Sequence, residues 1–381
     1  MDKNSKIYIA GHRGTAGTAL VDNLRARGFN NLILRTRQEL DLTNQEAVAD
    51  LFKNEKPEYV FLCAVLPCGA ANVAQRADFI YVNLMMQNNI IHQSYLHGVK
   101  KLICYGSGYM YPYSAQNPLK EEYMMQSNLE YNAYTMGIAK IAGAAMCEAY
   151  NIQYGTNYLC LALNNLYGTR ANFDFGKSRV LPALIRKFHL AKMLEDDNFE
   201  GVLADLNMNE KEATEILNNY GIAKDSVEIW GTGKVKREFI HSDDLADASI
   251  FTMENINFSD LAKGKNPQNT HINIGSGVAY SIAEVVDMIK GIVGFNGQLY
   301  FNTSRPDSTM DRLMDVSKIN SLGWKHKIEL EEGIKMMYQW YKNSVKGGGV
   351  ESKFINLTYT TSFDTINNLN FIADSKRICN G

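Results

Sequence analysis

The chain has 381 residues, of which 45% are hydrophobic and 21% are charged, and its net charge at pH 7 is −2. These values are typical of a globular protein with room for one large or two ordinary domains. A charge this close to zero argues against nucleic acid or an anionic membrane as a general partner, and no apolar run reaches the length of a membrane span.

Targeting signals and metal ligands are not evident in the sequence. Residues 1–5 lead directly into the first strand, so we expect no signal peptide. The six cysteines lack the paired spacing of metal ligands and several lie in apolar runs, so we expect reduced thiols and a cytoplasmic location. The seven histidines are scattered singly, and no metal site is predicted.

The first predicted strand, Ile7–Ala10, leads into a glycine-rich turn and then an amphipathic helix. Gly11 permits the tight turn, Gly14 lets a pyrophosphate approach the backbone, and Gly17 lets the helix pack close to the sheet. Thr15 and Ala16 open the helix, whose N-terminal N–H groups face the phosphates. This stretch predicts a dinucleotide-binding turn.

The end of the second predicted strand, Asn31–Thr36, selects between NAD and NADP. NAD usually needs a carboxylate there for the ribose 2′-hydroxyl, whereas NADP needs a cation for the 2′-phosphate. Arg35 and Arg37 stand at this end, Arg13 of the glycine turn can reach the same place, and Glu39 lies past the strand. We predict NADP, with the alternative that these arginines are only surface cations.

The chain then alternates helices and strands, which predicts a parallel, doubly wound α/β sheet with right-handed crossovers. We expect Asp41 and Leu42 beside the adenine, and Ala64 and Val65 where the loop 65–72 opens over the dinucleotide. The predicted elements in this stretch are helix Asn44–Asn54, strand Tyr59–Ala64, helix Asp78–Leu96 and strand Lys101–Tyr105.

Ser107 follows the last of these strands, at the sheet edge where a ligand carbonyl would be held. The next predicted helix, Tyr131–Tyr150, carries Tyr134, Met136 and Lys140. Its many small residues favour close helix packing across a dimer.

Taken in order, these motifs resemble those of the extended short-chain dehydrogenase/reductases, and within them the GDP-L-fucose synthase family. The resemblance covers roughly residues 6–341. It rests on the glycine turn, LRTR at 34–37, the serine strand, the lysine helix, NLYG at 165–168, RKFH at 186–189, WGTG at 230–233, REF at 237–239 and RPD at 305–307.

The resemblance implies a Rossmann-type domain over 1–169, to which segments near 228–250 return, and a smaller sugar-nucleotide domain over 170–343. It also implies a homodimer that packs through two helices per subunit. Two stretches lie outside the family pattern. Residues 190–226 form an insertion, which we interpret as a surface excursion with a short helix near Asn209–Asn219, and residues 344–381 form a C-terminal extension.

The resemblance also implies roles for individual residues. Ser107 would bind the sugar carbonyl, and Lys140 would hold the nicotinamide ribose and lower the pKa of the proton donor. The remaining positions fall into two sets. Leu163, Asn165, Leu166 and Arg179 would line the cofactor site, and Lys187, Trp230, Arg237 and Asp307 would hold the GDP-sugar.

Three residues depart from the family pattern. Met136 occupies the position of the catalytic tyrosine, one helical turn before Lys140. Tyr134 is six residues from Lys140, about 240° around the helix, so it is not an obvious substitute. Tyr109 replaces the cysteine base and Arg179 replaces the histidine acid of the family's epimerisation step. Arginine cannot exchange protons near neutral pH.

These residues predict an NADPH-dependent C4 reductase of a GDP-linked 4-keto sugar, a deoxyhexose or a heptose, without 3,5-epimerase activity. Such an enzyme would serve nucleotide-sugar biosynthesis for a surface polysaccharide, with a separate epimerase upstream. Water, Tyr109 or a substrate hydroxyl could deliver the proton. The alternatives are an inactive protein that binds NADP and a GDP-sugar, or a dehydrogenase or epimerase that uses other groups.

Overall fold

A computed structural model describes residues 1–66, 75–176, 178–262, 264, 267–305 and 311–346. The strands are β1 (Ile7–Ala10), β2 (Leu32–Ile33), β3 (Tyr59–Leu62), β4 (Lys101–Tyr105), β5 (Tyr158–Leu163), β6 (Asn165–Tyr167), β7 (Ser226–Trp230), β8 (Lys236–His241), β9 (Ile272–Ile274), β10 (Ala279–Ser281), β11 (Gln298–Asn302) and β12 (Asp311–Arg312).

The helices carry most of the remaining described residues. They are α1 (Thr15–Ala26), α2 (Gln45–Glu55), α3 (Arg76–Leu96), α4 (Tyr134–Tyr154), α5 (Val180–Glu195), α6 (Phe199–Leu206), α7 (Glu210–Asn219), α8 (Ser242–Asn255), α9 (Phe258–Leu261), α10 (Ile282–Val293), α11 (Ser317–Ser321) and α12 (Leu330–Lys346). Short 3₁₀ turns cover Gly108–Met110 and Glu121–Tyr123.

Six parallel strands form the main sheet in the order β2-β1-β3-β4-β5-β9. The strand order reverses between β1 and β3, and open α/β sheets bind ligands outside the carboxyl ends of their strands at such a switch point. The predicted doubly wound parallel sheet is confirmed. β2 is shorter than the predicted strand Asn31–Thr36, because the backbone N–H of Thr36 donates to the Glu39 carboxylate (2.7 Å) and turns the chain away.

Two apolar cores cover the faces of this sheet. Leu20 and Leu24 of α1 meet Leu245 and Ile250 of α8 on one face. The other face packs against side chains of α2, α3 and α4, among them Phe52. The α8 helix and strand β9 therefore bring late segments of the chain onto the first-half sheet.

A third core lies in the second half of the chain, among α5, α10 and α12, beside two smaller sheets. The predicted helix near 209–219 is confirmed as α7, and Asn209 caps its N-terminus. The insertion is not a mere surface excursion, because it buries an apolar face in this core. The residues that do so are Val202, Leu206, Ala213 and Leu217.

Several sequence-based expectations concern residues that the structure does not describe. These are most of the loop 65–72, Cys68, Asp307, and the extension from residue 347 onward, including Cys379. Within the described ranges the cysteines are free, no cluster of three or more potential ligands could hold a metal ion, and no helix has the length and apolarity to cross a membrane. The domain boundaries stay a prediction.

Candidate functional site

The glycine turn after β1 is shaped by close backbone approaches. Gly11 has φ +85°, a left-handed conformation that favours glycine, and a Cβ there would lie 2.6 Å from the backbone nitrogen of Ala64. A Cβ at Gly17 would lie 2.2 Å from the carbonyl oxygen of Gly11. The turn, the start of α1 and the end of β3 are thus packed at distances that only glycine allows.

The N-terminus of α1 can receive an anion. No side chain caps it, and Gly14, the N-cap residue, is exposed. A Cβ at Gly14 would meet its nearest neighbour only at 3.5 Å, so the backbone here is open to a ligand. Thr15 and Ala16 follow as the first helical residues, with N–H groups at the positive end of the helix dipole. This cradle fits a pyrophosphate group.

The arginines near β2 differ in exposure. The guanidinium of Arg35 is paired with the carboxylate of Glu55 at 2.5 Å, which leaves it engaged within the protein. Arg13 and Arg37 are exposed. Glu39, the nearby carboxylate, already accepts hydrogen bonds from Thr36. Arg13 and Arg37 are thus more exposed than Arg35, and the binding of a 2′-phosphate by these three arginines stays a prediction.

The adenine-side residues Asp41 and Leu42 lie in a turn. The Asp41 carboxylate accepts hydrogen bonds from the backbone N–H and the hydroxyl of Thr43. The carbonyl of Leu42 accepts from Asn89 of α3 at 2.9 Å. This turn is held in place by the Asp41 side chain within it and by Asn89 of α3.

Lys140 of α4 lies at the carboxyl ends of β3 and β4. It lines a small cavity together with Ala64 and Tyr105, and burial lowers the pKa of its ammonium group. Leu66, beyond Val65, is held by the buried side chain of Asn83, which donates to its carbonyl at 3.0 Å and accepts from its N–H at 2.9 Å. The lysine is thus adjacent to the predicted cofactor edge.

Ser107 follows β4 directly and opens the 3₁₀ turn. The turn is pressed against α4, since a Cβ at Gly137 would lie 2.4 Å from the carbonyl oxygen of Tyr109. Met136, next to Gly137, is buried. The serine turn and the lysine helix therefore pack directly against each other at Tyr109 and Gly137.

Tyr134 belongs to a different cluster. Its ring stacks on that of Tyr131, with centroids 5.5 Å apart, and the Arg76 guanidinium lies 5.6 Å from its centroid. This contact agrees with the helical geometry that directs Tyr134 away from Lys140.

Arg312 of β12 is a site residue that the sequence reasoning missed. Its guanidinium donates to the carbonyl of Gly108 at 2.7 Å and to the Glu130 carboxylate at 3.0 Å, and it lies 5.2 Å from the ring centroid of Tyr109. It thereby clamps the turn that begins at Ser107. The nearest sequence signal was RPD at 305–307, a few residues earlier.

A second missed residue is Glu238, in the middle of the REF motif. Its fully buried carboxylate accepts hydrogen bonds from the backbone of Gly277 (2.8 Å) and Met314 (2.9 Å) and from the amide of Asn164 (3.1 Å). Burial raises the pKa of Glu238 to about 7. The three donors join the ends of β5, β9 and β12 beneath the site.

The residues at 163–166 that are predicted to line the cofactor site lie near Glu238. Leu163, Asn165 and Leu166 are half-buried, and Asn165 donates to the backbone carbonyl of Glu238 at 2.8 Å. Arg179 is exposed and immediately precedes the first turn of α5.

Of the predicted sugar-nucleotide residues, Lys187 lies beside Trp230, which is 48% exposed. The Lys187 ammonium and the Arg305 guanidinium lie 5.6 and 4.9 Å from its ring. Burial lowers the pKa of Lys187 to about 8, and its ammonium donates to the carbonyl of Glu228 at 2.7 Å. Arg237 is half-buried, and burial lowers its pKa. The cluster combines an aromatic surface with cations, as a nucleoside diphosphate requires.

Comparisons with known proteins agree with this arrangement. Residues 7–275 match the NAD dependent epimerase/dehydratase family. GDP-L-fucose synthase 1 of Arabidopsis thaliana is 42% identical over 345 residues, covering 90% of this chain and 95% of the plant protein.

Two solved structures from Campylobacter jejuni are more similar in sequence. A GDP-6-OMe-4-keto-L-xylo-heptose reductase is 73% identical with a TM-score of 0.88. A GDP-mannoheptose C4 reductase with NADP bound is 71% identical with a TM-score of 0.84. Each alignment covers 90% of this chain and 99% of the other.

Proposed function

Since this chain belongs to the NAD dependent epimerase/dehydratase family, we propose that it is an NADPH-dependent C4 reductase of a GDP-linked 4-keto sugar. The enzyme acts in nucleotide-sugar biosynthesis for a surface polysaccharide and lacks 3,5-epimerase activity. The similarity to two GDP-heptose reductases favours a heptose over a deoxyhexose as the sugar.

The proposal depends mainly on the positions of Lys140 and Ser107. Lys140 shares a cavity with Ala64 and Tyr105, so it lies where β3 and β4 end beside the glycine turn, and Ser107 follows Tyr105 by two residues. A carbonyl-binding serine and a cofactor-binding lysine then serve the same edge of the sheet. That is the arrangement a reductase requires at a switch point.

Ser107 and Lys140 have separate roles in the reduction. Bound NADPH supplies a hydride to C4 of the sugar. The Ser107 hydroxyl donates a hydrogen bond to the C4 carbonyl oxygen, and Lys140 holds the nicotinamide ribose. Positioning of the two reactants supplies much of the rate. Because a general acid contributes about 10²–10⁴-fold, loss of the tyrosine at Met136 slows the reduction without forbidding it.

The proton has three possible sources: water, a substrate hydroxyl, or the phenol of Tyr109. Tyr109 is two residues from Ser107, is 40% exposed, and has the Arg312 guanidinium over its ring. These contacts favour Tyr109 among the side chains of the turn.

Epimerisation would need an acid and a base flanking the ketone. Tyr109 and Arg179 stand at the positions where the family has cysteine and histidine, and an arginine stays protonated near neutral pH. The reductase therefore depends on a separate epimerase upstream. An inactive binding protein is the second candidate, and the buried Met136 at the donor position is the observation that favours it.

We also propose a cytoplasmic homodimer. Large apolar side chains are exposed on α3 and α4, the two helices that would pack across the interface. They are Tyr81, Leu96, Ile138, Ile152 and Tyr154.

The decisive experiment measures NADPH oxidation with a panel of GDP-4-keto sugars, and reads the C4 configuration of the product by NMR. We expect turnover with at least one sugar, and losses of about tenfold or more in kcat/KM for Ser107→Ala and Lys140→Ala. If no 4-keto sugar nucleotide is reduced, the binding-protein alternative takes the place of the reductase.

The same assay identifies the proton donor. A large loss in Tyr109→Phe would assign the proton to Tyr109, and no loss would leave water or substrate. Incubation in D₂O without NADPH should leave C3 and C5 unlabelled, and catalysed deuterium uptake at either carbon would contradict the absence of epimerase activity.

A further inference from the structure

Three aromatic rings form a continuous stack beside the sugar-nucleotide residues. Tyr220 stacks on Phe175, with centroids 4.4 Å apart and planes 24° apart. Tyr220 also lies nearly parallel to Trp230, with centroids 6.2 Å apart and planes 13° apart. Tyr220 comes from the insertion 190–226, the segment outside the family pattern.

The backbone fixes Tyr220 in this position. The segment after α7 pairs with β7, because the N–H of Glu228 donates to the carbonyl of Gly221 at 2.7 Å, and Ala223 donates to Ser226 at 2.9 Å. Gly221 has φ +61°, and a Cβ there would lie 2.3 Å from the Cβ of Glu228. The strand that carries Trp230 therefore also holds the residue next to Tyr220.

A buried ion pair supports the far end of the stack. The Arg186 guanidinium lies 5.2 Å from the Phe175 ring and pairs with the Asp205 carboxylate of α6 at 2.9 Å. The hydroxyl of Tyr341 donates to the other oxygen of the same carboxylate. The insertion thus contributes two residues to the stack, Tyr220 within it and Asp205 behind it.

The exposed end of the stack is suited to a nucleotide. Trp230 keeps nearly half of its surface exposed, although Tyr220, Lys187 and Arg305 all lie near its ring. An indole that is already held by its neighbours loses little conformational entropy when a base stacks on it. The cationic side chains of Lys187 and Arg305 can bind the phosphate groups of the same nucleotide.

We propose that Tyr220 is a specificity-determining residue for the purine base of the sugar nucleotide, acting by holding Trp230 as a stacking surface. The inference rests on the proposed function for the identity of the nucleotide, and it assigns a binding role to the insertion. A purine offers a larger π face than a pyrimidine, so a rigid indole discriminates between GDP and UDP.

The test is calorimetric titration of the full chain with GDP and with UDP, which needs no catalysis. Loss of one aromatic pair corresponds to about five- to tenfold in affinity, so we expect Tyr220→Leu to raise the Kd for GDP by that factor. The Kd for UDP should change less, so the preference for GDP shrinks. Tyr220→Phe keeps the ring and should restore most of the lost affinity. Met208→Ala changes an exposed residue of the same insertion and serves as the control.

A double-mutant cycle separates positioning from simple loss of structure. If Tyr220 acts through Trp230, then Tyr220→Leu adds little to Trp230→Leu, and the two effects are not additive. In turnover assays Tyr220→Leu should raise KM for the GDP-sugar and leave kcat close to that of the natural chain. Additive effects, an unchanged GDP preference or a loss confined to kcat would overturn the inference. It could fail in this way while NADPH-dependent reduction by the natural chain still stands, and absence of any reduction would instead remove the proposed function.

Discussion

The predicted cofactor side of the molecule is formed mainly by backbone atoms, whereas the predicted sugar-nucleotide side is formed mainly by side chains. The cofactor side is made of backbone: Gly11 and Gly17 at contact distances and an uncapped helix N-terminus at Gly14. The sugar-nucleotide side is made of side chains, with Trp230 supported by the ring of Tyr220 and by neighbouring cations.

The difference concerns how each side is held in shape. A backbone cradle is specified locally, because strand, turn and helix follow one another within a few residues. A side-chain platform is assembled from distant segments and needs buried support, here the ion pair between Arg186 and Asp205. We therefore expect substitutions in the support to act on the sugar nucleotide alone, and substitutions in the cradle to act on NADPH alone.

The largest effect is expected for Asp205→Ala. The Asp205 side chain is fully buried, so its removal leaves the Arg186 charge without its partner and costs about 3–5 kcal/mol of unfolding free energy. Urea unfolding measures this loss. The control is Lys224→Ala, which breaks the exposed pair with Asp197 in the same insertion and should cost about 0–1 kcal/mol. If Asp205→Ala weakened NADPH binding as much as GDP binding, the proposed separation of the two sides would be wrong.

Next in size is Gly17→Ala. The new Cβ would lie 2.2 Å from the Gly11 carbonyl oxygen, so α1 must move away from the turn, and we expect roughly 100-fold weaker NADPH binding. Fluorescence titration with NADPH checks this, and GDP affinity should not change. Gly291→Ala is the matched control, since it is also a helical glycine but has no atom within 4 Å of its new Cβ. It should be neutral or stabilising by about 0.5–1 kcal/mol.

Arg312→Lys tests the clamp on the turn that begins at Ser107. A lysine cannot reproduce the planar fork that reaches both Gly108 and Glu130, so the turn carrying Ser107 loses its clamp. We expect kcat to fall about tenfold, the scale of a lost charge-assisted hydrogen bond, with little change in the Kd for NADPH. Steady-state kinetics together with NADPH titration measure both quantities. A change in NADPH affinity with kcat intact would show that the clamp serves the cofactor instead.

The smallest effect is a pH dependence of GDP binding. Burial lowers the pKa of Lys187 to about 8, and a diphosphate binds the protonated form. GDP affinity should therefore begin to fall above about pH 7, be roughly halved at pH 8 and be about three- to tenfold lower by pH 9 as the lysine loses its proton. Calorimetry across pH 7–9 checks this, and Lys187→Gln should flatten the profile. Between pH 8 and the ordinary lysine pKa the unfolded chain binds more protons, so the free energy of unfolding contributed by this group rises with pH.

The features that the sequence could predict are the locally specified ones, and those that it could not predict depend on contacts between distant segments. The glycine spacing at 11, 14 and 17, the serine after β4 and the lysine on α4 are local patterns, and the structure brings them to one edge of the confirmed parallel sheet. Their roles in catalysis and cofactor binding remain predictions.

The residues that sequence reasoning missed act over long separations. Arg312 reaches Gly108, Glu238 accepts from three different segments, and Asp205 pairs with Arg186 across two helices. The helical and strand periodicities that can be seen in a sequence do not indicate contacts between residues so far apart. The insertion was misjudged for a related reason: its many charged and amide residues hide the apolar positions that pack into the third core. Arg35 shows a contact that its place at the strand end does not reveal, the ion pair with Glu55, and its predicted contact with a phosphate stays a prediction.

The position of β9 at the edge of the main sheet has a consequence for synthesis of the chain. Ile272–Ile274 leaves the ribosome long after its neighbour Tyr158–Leu163, and α8, which packs on α1, also comes late. Until then β5 lacks its β9 partner, and its unpaired N–H and C=O groups are open to pairing with other chains. The main sheet therefore cannot be completed until the whole insertion has been translated. We therefore expect the chain to be more prone to mispairing during synthesis than one whose sheet is built from consecutive strands.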